Sequence, residues 1–370
     1  TPTLSTEARL SYRDYASEPI SRAQLPLMAF DFGGTYNGSA LERTLFTGTE
    51  RSRHVNQLFT KTWDSFIGAT WTLGAHELHF GGEYSQNKID DRFLQDANGQ
   101  YKFQCDNAFT YATVTLTGGS CATATAAEWE AATIENFSLG RATSYQAQLA
   151  LPGRTVADGF ALWTLKNYGL FAQDTWKPLP KLSLSVGARI DQIGMSERPL
   201  ANAPAAAAVV PGTVTGLGTG TRQTGGFGYD NTVTPDGDTL LQPRFGFNWD
   251  LGDKDRKMQV RGGAGLFQGA AANVWLTNPY QNSGVAVAFY GCGSAAELTS
   301  GTNSRAACAA GGVFNPNIAA QPALGTNPAA NVDFHDPSLT QPSVWKMNLA
   351  FDGELGAFGL VAGAEWEHTE

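Results

Sequence analysis

Between Tyr168 and Asp191 the chain reads YGLFAQDTWKPLPKLSLSVGARID, and its second half alternates without a break. Leu182, Leu184, Val186, Ala188 and Ile190 fall on one side of an extended strand, and Ser183, Ser185, Gly187, Arg189 and Asp191 on the other. The first half, Tyr168 to Trp176, joins it through Lys177-Pro178-Leu179-Pro180, whose two prolines cannot donate to a ladder and so mark a turn. A two-stranded ribbon with one apolar side is not stable alone in water. That side requires a second sheet or a bilayer, and the choice between them governs how the rest of the chain is read.

The same alternation predicts seven further strands. From about 3 to 15, Thr6, Ala8, Leu10 and Tyr12 oppose Ser5, Glu7, Arg9, Ser11 and Arg13; from about 59 to 73, Trp63, Ile67, Ala69, Trp71 and Leu73 oppose Asp64, Thr70 and Thr72. After Gly74-Ala75, Leu78, Phe80, Gly82 and Tyr84 oppose Glu77, His79 and Glu83. Beyond the hairpin, Phe245, Phe247, Trp249 and Leu251 oppose Arg244, Asn248 and Asp250. The turn Gly252-Asp253-Lys254-Asp255 then leads to Met258, Val260, Ala264 and Leu266 against Gln259 and Arg261. Trp345, Met347, Leu349 and Phe351 oppose Lys346, Asn348 and Asp352, and after Gly353 to Gly356 the last strand sets Phe358, Leu360, Ala362, Ala364 and Trp366 against Glu365 and Glu367. Asp174 breaks the pattern, sharing a face with Tyr168, Leu170, Ala172 and Trp176. A bulge shifts the register there, or the carboxylate reaches a membrane interface near the turn.

The connections alternate long and short. Short turns fall near 74, 178, 253 and 354. Long ones follow the first strand, span 89 to 164 with a short helix near Ala126 to Ile134, include the low-complexity run Ala201 to Gly228, and span 268 to 342. Structureless loops of this length argue against a compact soluble domain, and a soluble sandwich has no reason to sort loop length by end. Outer-membrane barrels do sort it, with short periplasmic turns and long extracellular loops. Trp71, Trp176, Trp249, Phe351 and Phe358 cluster near the short turns, with Trp345 and Trp366 at the other strand ends, as two aromatic girdles would require. No run of about 18 apolar residues occurs, which excludes a membrane-spanning helix but not a strand. The expectation is an all-β, antiparallel transmembrane barrel segment of nine strands.

A net charge of −9 with no Lys/Arg cluster argues against nucleic acid as a partner. Thr1 opens the chain without a basic and apolar leader, so a signal peptide is expected to be missing or removed. The four cysteines form two pairs sixteen apart, Cys105 with Cys121 and Cys292 with Cys308, inside Gly-, Ala-, Thr- and Asn-rich stretches. Two loop disulfides in an oxidising compartment follow, each closing a loop that stabilises by roughly 3 kcal/mol.

No catalytic or metal constellation emerges. His76 and His79 of HELH lie on opposite faces of a strand, Asp96-Ala97-Asn98-Gly99 lacks the downstream acid of a calcium loop, and the glycines from Gly262 to Gly269 lack the strand-to-helix setting of a phosphate loop. The expectation is no enzyme, no cofactor and no metal site.

With these residues in place, the chain resembles the barrel of TonB-dependent outer-membrane receptors, and within them the Oar-like group. FAQDTWKPLPKLSLSVGARID matches the recurrent Q-D-x-W-x-P strand end, short turn, alternating leucines and G-x-R-x-D. LQPRFGFNWDL, QVRGGAGLFQG, Asn278-Pro279-Tyr280 with Asn282, PSVWKMNLAFDGEL and GLVAGAEWEHT follow in the same order, so the resemblance spans roughly Thr62 to His368. It implies a barrel of about 22 strands around a plug, coupled through a TonB box to the inner-membrane energy complex, in the outer membrane of a Gram-negative bacterium. Neither plug nor TonB box is found within residues 1–370, which read as one partial barrel domain.

The expected function is energised uptake of an unidentified extracellular ligand; the alternative is an adhesive surface barrel binding partners through its loops. If lipid contacts Leu184, Val186, Leu360 and Trp366, then Glu7, Arg9, Glu83, Arg189, Arg244, Arg261, Lys346 and Glu365 point to the lumen, toward water or the protein's own plug.

Overall fold

The computed structural model describes residues 3–19, 24–213, 221–253, 256–270, 272–293, 308, 312–324, 330–356 and 359–370. Nine long strands form one sheet in which neighbours follow the order of these strands along the chain, with the first and last at its edges. They are β1 (Leu4–Ser17), β2 (Val55–Leu73), β3 (His76–Leu94), β4 (Ala161–Leu179), β5 (Leu182–Gly194), β6 (Thr239–Asp250), β7 (Met258–Gln268), β8 (Ser343–Glu354) and β9 (Val361–Thr369). All eight pairings are antiparallel, so the short connections after β2, β4, β6 and β8 share one end and the four long ones share the other. Gly74, at φ 61°, provides the left-handed residue of the two-residue β2–β3 turn.

Register fixes the two faces. Ile67 pairs with Gly82, Gly82 with Leu170, Leu170 with Ile190 and Ile190 with Leu241, which carries one apolar row across five strands. Val186, Phe245, Ala264 and Met347 continue another row to β8. Ile67, Leu170, Val186 and Leu349 are each more than half exposed. An exposed apolar surface of this extent is a membrane surface in waiting rather than a soluble protein's exterior. Trp71, Trp176, Trp249 and Phe351 lie on it close to the short turns, with Trp345 near the long-connection end of β8. Phe358, and Lys254 and Asp255 of the third short turn, lie outside the described residues.

Several boundaries differ from the sequence reading. β4 runs through Lys177 and Pro178 to Leu179, with a register shift between Trp176 and Leu179, so the reversal is the tighter Pro180-Lys181. Asp174 itself sits in unshifted register: it stays on the apolar face, where His76 Nδ1 lies 2.7 Å from its carboxylate and stacks on Trp176. β9 begins at Val361, which leaves Leu360 in the short connection, exposed, with its carbonyl accepting from Leu355 N–H. β3 and β4 extend to Leu94 and back to Ala161, well into the span read as loop.

The long connections are not structureless. Strands from three of them, Leu27–Phe32, Arg43–Thr47, Gln100–Phe103, Ser144–Ala150 and Val287–Gly293, assemble a second, five-stranded sheet. Its core is Met28, Tyr101, Phe103, Tyr145 and Cys292, nearly all at zero exposure. Helix α1 (Ala126–Ser138), capped by Thr125 and Glu128 in a capping box, lies against it, and Trp129 Nε1 donates to the Asp31 carbonyl at 3.0 Å. Both expected disulfides are formed, Cys105–Cys121 and Cys292–Cys308. A second helix, α2 (Asn273–Gln281), packs on β4 through Leu276 and Tyr280 against Trp163.

Candidate functional site

The face opposite the apolar one carries the chemistry. On β5, Arg189 donates through Nε and Nη2 to Asp191 at 2.7 and 2.6 Å, and its Nη1 lies 2.6 Å from Glu83 of β3. Gln242 of β6, almost fully buried, caps the same Asp191 and accepts from the backbone N–H of Gln268. A second network sits lower on the far strands. Arg261 of β7 lies 3.3 Å from Asp352 of β8 and 3.4 Å from Glu365 of β9, with Gln259 donating to Asp352 and Asn348 to Glu365. On β1, Arg9 pairs with Glu7 at 3.1 Å and lies over the Phe66 ring at 4.4 Å. Arg244 lies over Phe267 at 4.6 Å, and Lys346 stands opposite Gly265 with an exposed side chain.

All eight charged residues expected on one face therefore share it, and Leu184, Val186 and Trp366 share the other. Sequence reading missed the partners. Asp191 and Asp352 were visible as polar-face carboxylates but not as ion-pair acceptors, because the pairing strand is set by register and not by spacing. Gln242 fell before the alternation that identified β6. Phe66 and Phe171, aromatic rings stacked at 6.0 Å on the polar face, carry no polar signal at all.

Above these networks, where the wall meets the long connections, a cavity of about 480 Å³ opens between β4, β5, the start of α2 and residues 339–342. Arg189 and Asp191 form its floor, and Leu165, Ile193, Leu276 and Leu339 much of its walls. The sheet built by the long connections has its own buried polar centre. Asp96, at zero exposure, accepts from Arg51 at 2.7 Å and Gln146 at 2.9 Å, and burial pushes its carboxyl upward against the pull of Arg51. Burial pushes the Tyr101 hydroxyl up to about 12. Among the described residues no cluster of His, Cys, Asp and Glu has metal-holding geometry.

A meandering antiparallel sheet with one apolar face, one charged face and every long connection at one end is the wall of a transmembrane β-barrel. The chain belongs to the outer membrane beta-barrel domain family, whose model matches residues 1–362. It is an integral outer-membrane protein of Gram-negative type, and these residues form barrel wall. No match emerges among curated proteins. Among solved structures, the chain is similar to the copper transporter OprC, at 13% identity and TM-score 0.34 over 84% of this chain and 30% of that one. It is also similar to the Serratia marcescens hemophore receptor HasR, solved with its hemophore HasA and heme, at 12% and 0.36 over 100% and 40%. The ferric preacinetobactin receptor BauA of Acinetobacter baumannii matches at 8% and 0.23 over 99% and 43%. The chain thus spans less than half the length of each of these proteins.

Proposed function

We propose that residues 1–370 are part of the barrel of a TonB-dependent receptor of the Oar-like group, which takes up an extracellular ligand across the outer membrane. The observation that carries this reading is the charged face. Arg189 with Glu83 and Asp191, and Arg261 with Asp352 and Glu365, each set one cation between two carboxylates, an arrangement that hydrocarbon would not tolerate and a lumen would. Glu7, Arg9, Arg244 and Lys346 complete a polar surface suited to hydrogen-bonding a plug, while Leu184, Val186, Leu360 and Trp366 meet lipid. Among the described residues β1 and β9 each pair on one side only, and unpaired backbone groups at membrane depth are costly, so further strands complete the wall in this reading. Plug, TonB box and the TonB energy complex belong to this reading as partners outside the residues described.

The test compares wild-type cells, a deletion of the full receptor and a deletion of the TonB energy complex for depletion of the components of a defined medium, read by mass spectrometry. The expected result is at least one component whose uptake fails in both deletions. A receptor deletion that changes surface attachment and leaves every uptake rate intact establishes the adhesive barrel instead.

A further inference from the structure

Resting on the receptor reading above, we infer that the cavity under α2 takes a short, uncharged, apolar peptide. Its volume of about 480 Å³ lies within the range of small-ligand sites. Three features of the lining select the class.

The first is charge. Arg189 is the only cation among the described residues that line the cavity, and all three of its nitrogens face Asp191 or Glu83. Asp191, the lining carboxylate, is held by Arg189 and Gln242. The network sets one cation against two carboxylates, so an anionic chelate meets excess negative charge and a cationic peptide would have to displace Arg189 or Gln242 to reach Asp191, whereas a neutral molecule requires neither.

The second is the wall. Leu165, Ile193, Leu276 and Leu339 are branched aliphatic side chains, which fill against other branched side chains and give a sugar ring no flat surface. Trp275, the one aromatic ring of the lining, stands at the rim at 69% exposure.

The third is the pair of amides. Asn167 on β4 and Asn273 at the start of α2 line the cavity, and neither side chain makes a hydrogen bond among the described residues. A primary amide offers one acceptor and two donors, the complement of a peptide bond's N–H and C=O. A purely hydrocarbon ligand would cover the half-buried Asn167 amide without matching it, which costs affinity, while Asn273 stands exposed at the rim.

The experiment uses the full receptor purified from outer membranes and the probe acetyl-Leu-Ala-Leu-amide, with binding read by calorimetry. The expected result is that the blocked peptide binds, that the same tripeptide with free charged termini binds at least about tenfold more weakly, and that maltotriose does not bind. Leu339→Asp, at a partly exposed position, and Asn167→Leu are each expected to weaken the peptide by about tenfold or more. Their circular dichroism and heat-modifiable gel mobility should match wild type. Trp275→Phe is expected to abolish a peptide-induced change in tryptophan emission while calorimetric binding persists. Maltotriose binding in place of the peptide, no binding of the blocked peptide, or unchanged binding in both wall variants with wild-type fold overturns the inference. Because the measurement needs no energy source, it separates the two readings. Peptide binding without any transport defect in the deletion strains defeats the receptor reading alone, and a transport defect without peptide binding defeats this one alone.

Discussion

Asp174 of β4 and His76 of β3 meet at 2.7 Å on the apolar face, beside the short turns and under the ring of Trp176. This carboxylate, which breaks the strand alternation, thus has its partner one strand away. His76→Leu leaves that carboxylate beside lipid with no counterpart, and should cost on the order of 1 kcal/mol in folding into lipid vesicles. Asp174→Leu together with His76→Leu should recover most of the loss. Denaturant titrations of the two single variants and the double variant check this; additive losses would show that the pair is not coupled.

In the long β3–β4 connection, Glu135 on α1 accepts from the backbone N–H of Ala112 and of Thr113 at 2.9 and 2.8 Å, and lies 3.2 Å from Arg141. Burial pushes its carboxyl upward, but the Thr113 hydroxyl, the two N–H groups and the Arg141 charge outweigh it and hold the group at about 2, against an ordinary 4.5. A folded-state value below the unfolded one contributes stability that is complete above about 4.5 and lost as pH falls toward 2. Glu135→Gln should remove that acid-labile component, on the order of 2 kcal/mol, from the segment tied by Cys105–Cys121. Hydrogen exchange of residues 110–140 at pH 6 and pH 3, corrected for the intrinsic rate at each pH, measures it: wild type should lose protection at the lower pH, and the variant should be protected alike at both.

His54 works with the opposite chemistry. The Asn98 N–H donates to Nδ1 at 3.1 Å and Nε2 lies 3.0 Å from the Thr49 carbonyl, a pairing that needs a neutral ring protonated at Nε2. Burial lowers its affinity for a proton, with Arg51 adding to that and the Thr49 carbonyl, Asp96 and Glu50 opposing. A depressed histidine contributes stability that is intact above about 6.5 and declines as pH falls below it. Protection of Asn98 and its neighbours, measured against the intrinsic exchange rate at each pH, should therefore fall between pH 7.5 and pH 5.5, and His54→Gln should flatten the profile.

What the sequence made legible was the part of the wall with one exposed apolar face. There a period of two is enforced at every residue, and the polar or apolar identity of positions such as Leu184 and Arg189 reports the face directly. Legibility stopped where both faces are covered. Ile89, Leu94 and Trp163 are at most 2% exposed because the layer built from the long connections encloses the upper ends of β3 and β4, so no alternation marks them as strand. The layer itself depends on contacts between distant segments. Tyr101 donates to Gln321 across 220 residues, and Cα partners such as Leu27 and Gln100 come from different connections. Short strands held by such contacts leave no local period to read, and the cavity, assembled from five separate stretches, is illegible for the same reason.

The assignment of faces makes the sharpest demand on the protein. Val186 and Leu184 pair with Phe245 and Phe247 on the apolar face. Arg189, three residues from Val186, is bound on the other face by Glu83 and Asp191. An Arg facing lipid at mid-bilayer costs about 2 to 4 kcal/mol, so Leu184→Arg and Val186→Arg should impair assembly into the membrane, seen as lost heat-modifiable mobility and increased protease sensitivity. Arg189→Ala and Arg261→Ala remove no apolar contact with lipid and should leave assembly near wild type while unsettling whatever fills the lumen. The readout is entry of a bulky glycopeptide antibiotic in cells carrying the full receptor, expected to rise for the two alanine variants at unchanged receptor abundance. The complementary check places single cysteines at 184, 186, 189 and 261 and labels them in vesicles. Positions 184 and 186 should react only with a membrane-soluble maleimide, and 189 and 261 with a water-soluble one; the reverse pattern would invert the barrel wall and remove the lumen from the face that carries the ion pairs.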